Sequence, residues 1–145
     1  MTDCCAVTAN EKTPHQSAVC PRNGRAYAGV ERHTVLHHVR QPWQRALTLQ
    51  AYYFCDDPAC DVVYFGEDNS LLMRGDLRCE VGQKSHAPDK TLCYCFDINA
   101  ADLQTDGVLR RARAFVIEQT RNAACDCAVR NPSGRCCLND IPKIL

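Results

Sequence analysis

The chain has little of what marks a secreted, membrane-spanning or nucleic-acid-binding protein. Its start, Met1-Thr2-Asp3-Cys4-Cys5, is polar and mildly acidic where a secretory leader would show a basic n-region and an apolar h-region. No stretch approaches the roughly 18 consecutive apolar residues that a membrane span needs. Charge of one sign is not in excess either: 17 Lys and Arg balance 17 Asp and Glu, so no basic field draws the chain to nucleic acid. Aromatic residues are scarce, at 7%, with Trp43 the one tryptophan. No Ser-His-Asp set, phosphate loop or paired-carboxylate site stands out, so an enzyme of those classes has little support.

Cysteine is what the chain has in plenty. Twelve occur in 145 residues, as Cys4-Cys5, Cys20, Cys55 and Cys60, Cys79, Cys93 and Cys95, Cys125 and Cys127, and Cys136-Cys137. A secreted disulfide scaffold usually spreads its cysteines singly along a shorter chain. Clustered thiols without a leader point instead to metal binding in a reducing cytoplasm. Aromatics beside the thiols, in Tyr52-Tyr53-Phe54-Cys55 and Cys93-Tyr94-Cys95-Phe96, suit walls that shield a metal centre.

The order of patterns predicts an α+β fold: a small β-rich zinc-knuckle lobe over 20–85, then a small helical lobe over 91–140, preceded by a flexible segment over 1–19. Cys20-Pro21-Arg22-Asn23-Gly24-Arg25 reads as a metal-knuckle turn, with Pro fixing φ and Asn-Gly supplying positive φ. Glu31 to Arg40 reads as a short helix ended by Pro42. Leu49–Phe54 and Asp61–Phe65 read as strands around a Cys55/Cys60 knuckle, the pattern of a zinc-ribbon hairpin. A further strand is expected over Leu77 to Gln83, with Leu77, Cys79 and Val81 on one face and Cys79 a buried structural thiol. Beyond the polar link Ser85 to Lys90, Asn99 and Asp102 form a capping box, Gly107 is expected to break the helical stretch, and Val108 to Thr120 reads as an amphipathic helix. Trp43 is expected to pack in the first lobe. His33 and His37 stand at i,i+4 spacing without a third ligand nearby and read as solvated, as do His15, His38 and His86.

Cys93-x-Cys95 is too tight for a regular zinc knuckle, whose ligands stand about two to four residues apart. It suits iron-sulfur ligation, where four thiolates complete a 2Fe-2S centre. Cys127 and either Cys136 or Cys137 would join it from the closing loop, with Cys125 a rival to Cys127.

Tyr53-Phe54-Cys55, Cys60 to Phe65, Val81-Gly82-Gln83-Lys84, Cys93-Tyr94-Cys95-Phe96 and Asn131-Pro132-Ser133-Gly134-Arg135-Cys136-Cys137 together resemble the N-terminal domain of the copper chaperone CopZ family and its stand-alone bacterial relatives. The resemblance implies one zinc and one 2Fe-2S cluster, the second lobe being similar to bacterioferritin-associated ferredoxin. Carried over, the cluster ligands are Cys93, Cys95, Cys127 and Cys137. Zinc falls to Cys20, Cys55 and Cys60. The family's Cys-Pro-x-Cys knuckle has Asn23 in place of its second cysteine here, so a fourth zinc ligand is expected from Cys5 or Cys4, which a lead-in of about 15 residues lets reach the site, ahead of Asn23 or a histidine.

The implied function is a cytoplasmic one-electron redox module in metal homeostasis, copper foremost, able to turn Cu(II) into Cu(I). The alternative is a non-redox module that stores or delivers metal or iron-sulfur units. Expected partners are copper ions or a copper-carrying protein and a redox protein, with no nucleic acid and no membrane. The family's Met-x-Cys-x-x-Cys copper-receiving domain is not expected in this chain.

Overall fold

A computed structural model describes residues 17–143. Five short strands, β1 (Ser17–Val19), β2 (Ala26–Val30), β3 (Tyr52–Phe54), β4 (Val62–Gly66) and β5 (Leu71–Met73), form one antiparallel sheet in sequence order. Between β2 and β3 lies helix α1 (Arg32–His38). The second half holds a two-stranded ribbon, β6 (Thr91–Cys93) with β7 (Ile98–Asn99), then helix α2 (Asp106–Arg121) and the single turn α3 (Cys127–Arg130). The fold is α+β.

Alternation along β3 decides which side of the sheet does what. Successive side chains of a strand point to opposite faces. Tyr52 and Phe54 therefore join Val30, Val35, Val39, Leu72, Leu77 and Val81 in one apolar cluster, whereas Ala51, Tyr53 and Cys55 join Cys20, Cys60 and Phe65 in another. A register shift between Val62 and Tyr64 interrupts the alternation on β4, and sends Val63 and Tyr64 to the first cluster while Val62 stays with the cysteines. Tyr53 stacks on Phe65, ring centroids 5.3 Å apart, and closes the cysteine side. A third cluster, built on Leu92, Leu103, Leu109, Val116 and Ile141, contains Cys93, Cys127 and Cys137.

Four expectations need correction. Residues 77–83 form no strand. Leu77 makes an isolated bridge to Val39, and the chain then tightens into a 3-10 turn over Gly82–Lys84. Leu77 and Val81 are buried, but Cys79 is exposed, because without a ladder nothing keeps alternate residues on a common face. Trp43 sits on the 3-10 turn Pro42–Gln44 and is 77% exposed. Gly107 does not break the helix: α2 starts at Asp106, capped by the Thr105 hydroxyl accepting from Val108 N at 3.3 Å, so Gly107 falls in the first turn, where helical backbone is easily kept. The Asn99/Asp102 capping box is present, on a 3-10 turn (Ala100–Asp102) that precedes α2.

Hydrogen bonds across the two halves are specific. Thr34 and His38 of α1 bond the carbonyls of Ala128 and Val129, at 2.5 and 2.8 Å, and Tyr64 of β4 donates to Pro132 O at 2.5 Å. His38, expected in solvent, is instead part-buried by this contact with the second half of the chain, and burial holds it well below its ordinary range, at about 4. The Asn131-Pro132-Ser133-Gly134 turn is thus seated on the sheet. Gly134 has φ 72°, and a Cβ there would meet Val30 Cγ2 at 3.1 Å, so the seat requires glycine twice over.

Candidate metal centres

The first centre forms where two loops, β1–β2 and β3–β4, meet at one sheet end. Cys20 follows β1 and is locked by a turn in which its N–H donates to Arg25 O and its carbonyl accepts from Gly24 N, at 2.8 and 2.9 Å. Cys55 leaves β3 with its N–H on Val63 O at 2.9 Å, and the loop to Cys60 is shaped by Asp57, whose side chain accepts from Ala59 N and whose carbonyl accepts from Cys60 N. The result is three buried sulfurs, all within 4.8 Å of one another. Tetrahedral zinc at about 2.3 Å per sulfur spaces its thiolates by about 3.8 Å, so this trio fits one ion with small contraction.

Its surroundings set one amide donor against a buried, largely desolvated sulfur set. Asn23 Nδ2 stands 3.5 Å from Cys55 Sγ and bonds the Tyr27 hydroxyl at 2.9 Å, while Arg25 N–H donates to Asn23 Oδ1 and fixes the amide in that sense. Asn23 therefore faces the Cys55 sulfur with its amide donor. Burial raises the Cys60 thiol above its ordinary range and pushes Tyr27 up to about 12. Such sites disfavour uncompensated negative charge, and a bound cation is the natural compensation. Cys5 and Cys4, the expected fourth ligands, lie outside the described residues.

A side chain that the sequence hid completes this centre. Lys84, between the strand expected over Leu77 to Gln83 and the polar link that starts at Ser85, is 1% exposed. Its Nζ donates to Cys55 O at 2.9 Å and Asp57 O at 2.8 Å, and lies 3.7 Å from Cys55 Sγ. Burial lowers its pKa, while the Cys55 and Cys60 sulfurs oppose that shift.

The second centre gathers four thiols in a wider arrangement. Cys95 Sγ lies 3.6 Å from Cys127 Sγ and accepts from Asp126 N at 3.1 Å. Cys93, Cys127 and Cys137 are buried in one cluster, with Cys95 packed against it. The hydrogen bond from Cys137 brings Cys93 down to about 6, and that same bond, with burial, raises Cys137; burial pushes Cys127 up to about 12. Among the described residues, no three of these four sulfurs lie mutually within 4.8 Å, in contrast to the first trio. Cys125 turns instead to Thr120 Oγ1, at 3.8 Å, and Cys136 is half-buried without joining the chain of sulfurs. His33 and His37 belong to no described group of metal-ligating side chains.

One turn touches both centres. While Lys84 reaches Cys55, Gln83 Nε2 donates to Asn131 Oδ1 and Asp140 Oδ2, each at 2.9 Å, and Gly82 N donates to the Tyr94 hydroxyl, between Cys93 and Cys95, at 2.7 Å. Val81-Gly82-Gln83-Lys84 is therefore a mechanical link as well as a sequence motif.

Comparison with known proteins supports zinc binding in the sheet half of the chain. Residues 17–78 match the zf_CopZ family, described as a zinc binding domain. The X-ray structure of the CopZ N-terminal domain of Archaeoglobus fulgidus superposes with a TM-score of 0.63 at 31% identity, over 83% of this chain and 92% of that one. The chain belongs to the CopZ N-terminal domain family. The copper chaperone CopZ of Archaeoglobus fulgidus is 34% identical over 87 residues, which is 59% of this chain and 42% of that protein. The chain thus matches less than half the length of its CopZ relative. No described helix is long and apolar enough to cross a membrane.

Proposed function

We propose that this CopZ-family domain is a one-electron redox module of copper homeostasis, with zinc holding the sheet and a 2Fe-2S group on Cys93, Cys95, Cys127 and Cys137. The observation that carries the reading is the second set of sulfurs: Cys93, Cys127 and Cys137 share one buried cluster with Cys95 packed against it, Cys95 Sγ lies 3.6 Å from Cys127 Sγ, and four cysteines are the ligand type that 2Fe-2S groups use. Bound there, such a group supplies a one-electron couple, and the substrate this couple fits is Cu(II), reduced to the Cu(I) that soft thiolates hold. The protein's own residues set the surroundings: Asp126 N–H donates to Cys95 sulfur, and Leu92, Leu109 and Val116 keep water from the buried side. Copper as the metal rests on the CopZ relative's name. Copper ions, a copper-carrying protein and an electron-supplying redox protein are the corresponding partners.

Anaerobically purified protein should be red-brown and hold about two iron and two sulfide per chain. Mixed after reduction and desalting with Cu(II) and a Cu(I)-specific chelator, it should yield about one Cu(I) per 2Fe-2S centre. A colourless, iron-free chain after anaerobic reconstitution defeats the assignment. An intact, reducible centre that gives no Cu(I) leaves the storage and delivery reading standing.

For zinc, the proposed ligands are Cys20, Cys55, Cys60 and Cys5, or Cys4 in its place. Deleting residues 1–10 should lower zinc affinity by about tenfold or more, since a thiolate ligand is lost from a closed site. Unchanged zinc content and affinity would leave the fourth position to another group.

A further inference from the structure

A buried ammonium needs a reason. Taking a lone charge out of water is costly unless it is paired and hydrogen-bonded, and removing one partner of a buried pair leaves the other uncompensated. Lys84 is enclosed to 1% exposure, and its three N–H donors face Cys55 O, Asp57 O and Cys55 Sγ. No carboxylate pairs with it among its hydrogen-bond partners. The anion it faces is the thiolate set. With the fourth thiolate proposed above, four thiolates and one Zn²⁺ carry two net negative charges, and the one buried ammonium offsets one of them.

We propose that Lys84 is a positioning residue for the zinc centre: its ammonium offsets part of the zinc–thiolate charge and, by holding the Cys55 and Asp57 carbonyls, fixes the loop that carries Cys55 and Cys60. The inference rests on the zinc assignment of the previous subsection. Two functions meet in one group. The carbonyl bonds set the loop geometry, and the approach to Cys55 Sγ sets the electron density of that ligand.

The test compares Lys84→Met and Lys84→Arg with the unaltered full chain. Zinc affinity is measured by chelator competition, and the sulfur-to-cobalt charge-transfer band is recorded after Co²⁺ substitution. Lys84→Met should bind zinc about tenfold or more weakly, the usual size of losing a group that supports a ligand. Its band should move to lower energy, because a thiolate without a facing cation gives up its electron more readily. Lys84→Arg should recover most of the affinity and the original band. A folded Lys84→Met with unchanged affinity and band overturns the proposal. So does weaker affinity with an unmoved band and no rescue by arginine, which is the signature of a packing role alone. If Lys84→Met does not fold, Lys84→Gln, a neutral donor on a shorter stem, is judged by the same criteria. Failure of the zinc assignment is a separate result: Cys55→Ser would then keep its zinc with unaltered affinity.

Discussion

Replacing Gly82 by alanine should destabilise the protein by roughly 3 kcal/mol or more, the upper range of overpacking. A Cβ at this position would lie 2.0 Å from the carbonyl oxygen of Thr91, and 3.2 Å from the Tyr94 hydroxyl. The first obstacle is backbone, paired through Thr91 into the β6–β7 ribbon, so it has no rotamer by which to yield. The 3-10 turn must shift instead, and with it go the Gln83 bonds to Asn131 and Asp140 and the Lys84 bonds to the Cys55 loop. Melting temperature should fall by about 10 °C, given a few degrees per kcal/mol in a domain of this size. Gly107→Ala is the control of opposite sign. Its Cβ would meet nothing within 4 Å, inside α2, so it should stabilise by up to about 1 kcal/mol. Equal melting temperatures for Gly82→Ala and the unaltered protein would remove the close approach.

The contrast between these two glycines shows what a sequence discloses. Gly107 carries its meaning locally, and even so a helix breaker was expected where the Thr105 cap had already placed it in a first turn. Gly82 depends on Thr91, across a polar link that carries no signal of contact. Lys84 likewise carries no local sign of burial, because the acceptors that bury it belong to a knuckle almost thirty residues earlier. By contrast, the β3–β4 hairpin was legible: its turn, its cysteines and its apolar runs are all local and mutually consistent. The period-two pattern of Leu77, Cys79 and Val81 misled because two anchored apolar residues with a free one between them look the same as a strand. Only a partner ladder distinguishes the cases, and Leu77 alone finds one.

Cysteine spacing left two choices at the second centre, Cys125 or Cys127 and Cys136 or Cys137, and geometry gives each a physical basis. Cys127 is 6% exposed with its sulfur against Cys95, and Cys137 is fully buried against Cys93 and Cys127. Cys125 and Cys136 are half-buried, and Cys125 spends its hydrogen bond on Thr120. A thiolate that must replace its proton by iron needs its sulfur in the shared space before the metal arrives, otherwise the loop pays to rearrange. Cys127→Ser and Cys137→Ser should therefore lose most of the visible absorption and nearly all of the about two iron per chain expected of a four-cysteine 2Fe-2S centre. Cys125→Ser and Cys136→Ser should keep both. Zinc content should stay unchanged in all four, because Cys20, Cys55 and Cys60 stand in a separate cluster on the sheet. Loss of iron in Cys125→Ser with retention in Cys127→Ser would reverse the assignment, and a parallel loss of zinc would show that the damage is to the fold and not to one ligand.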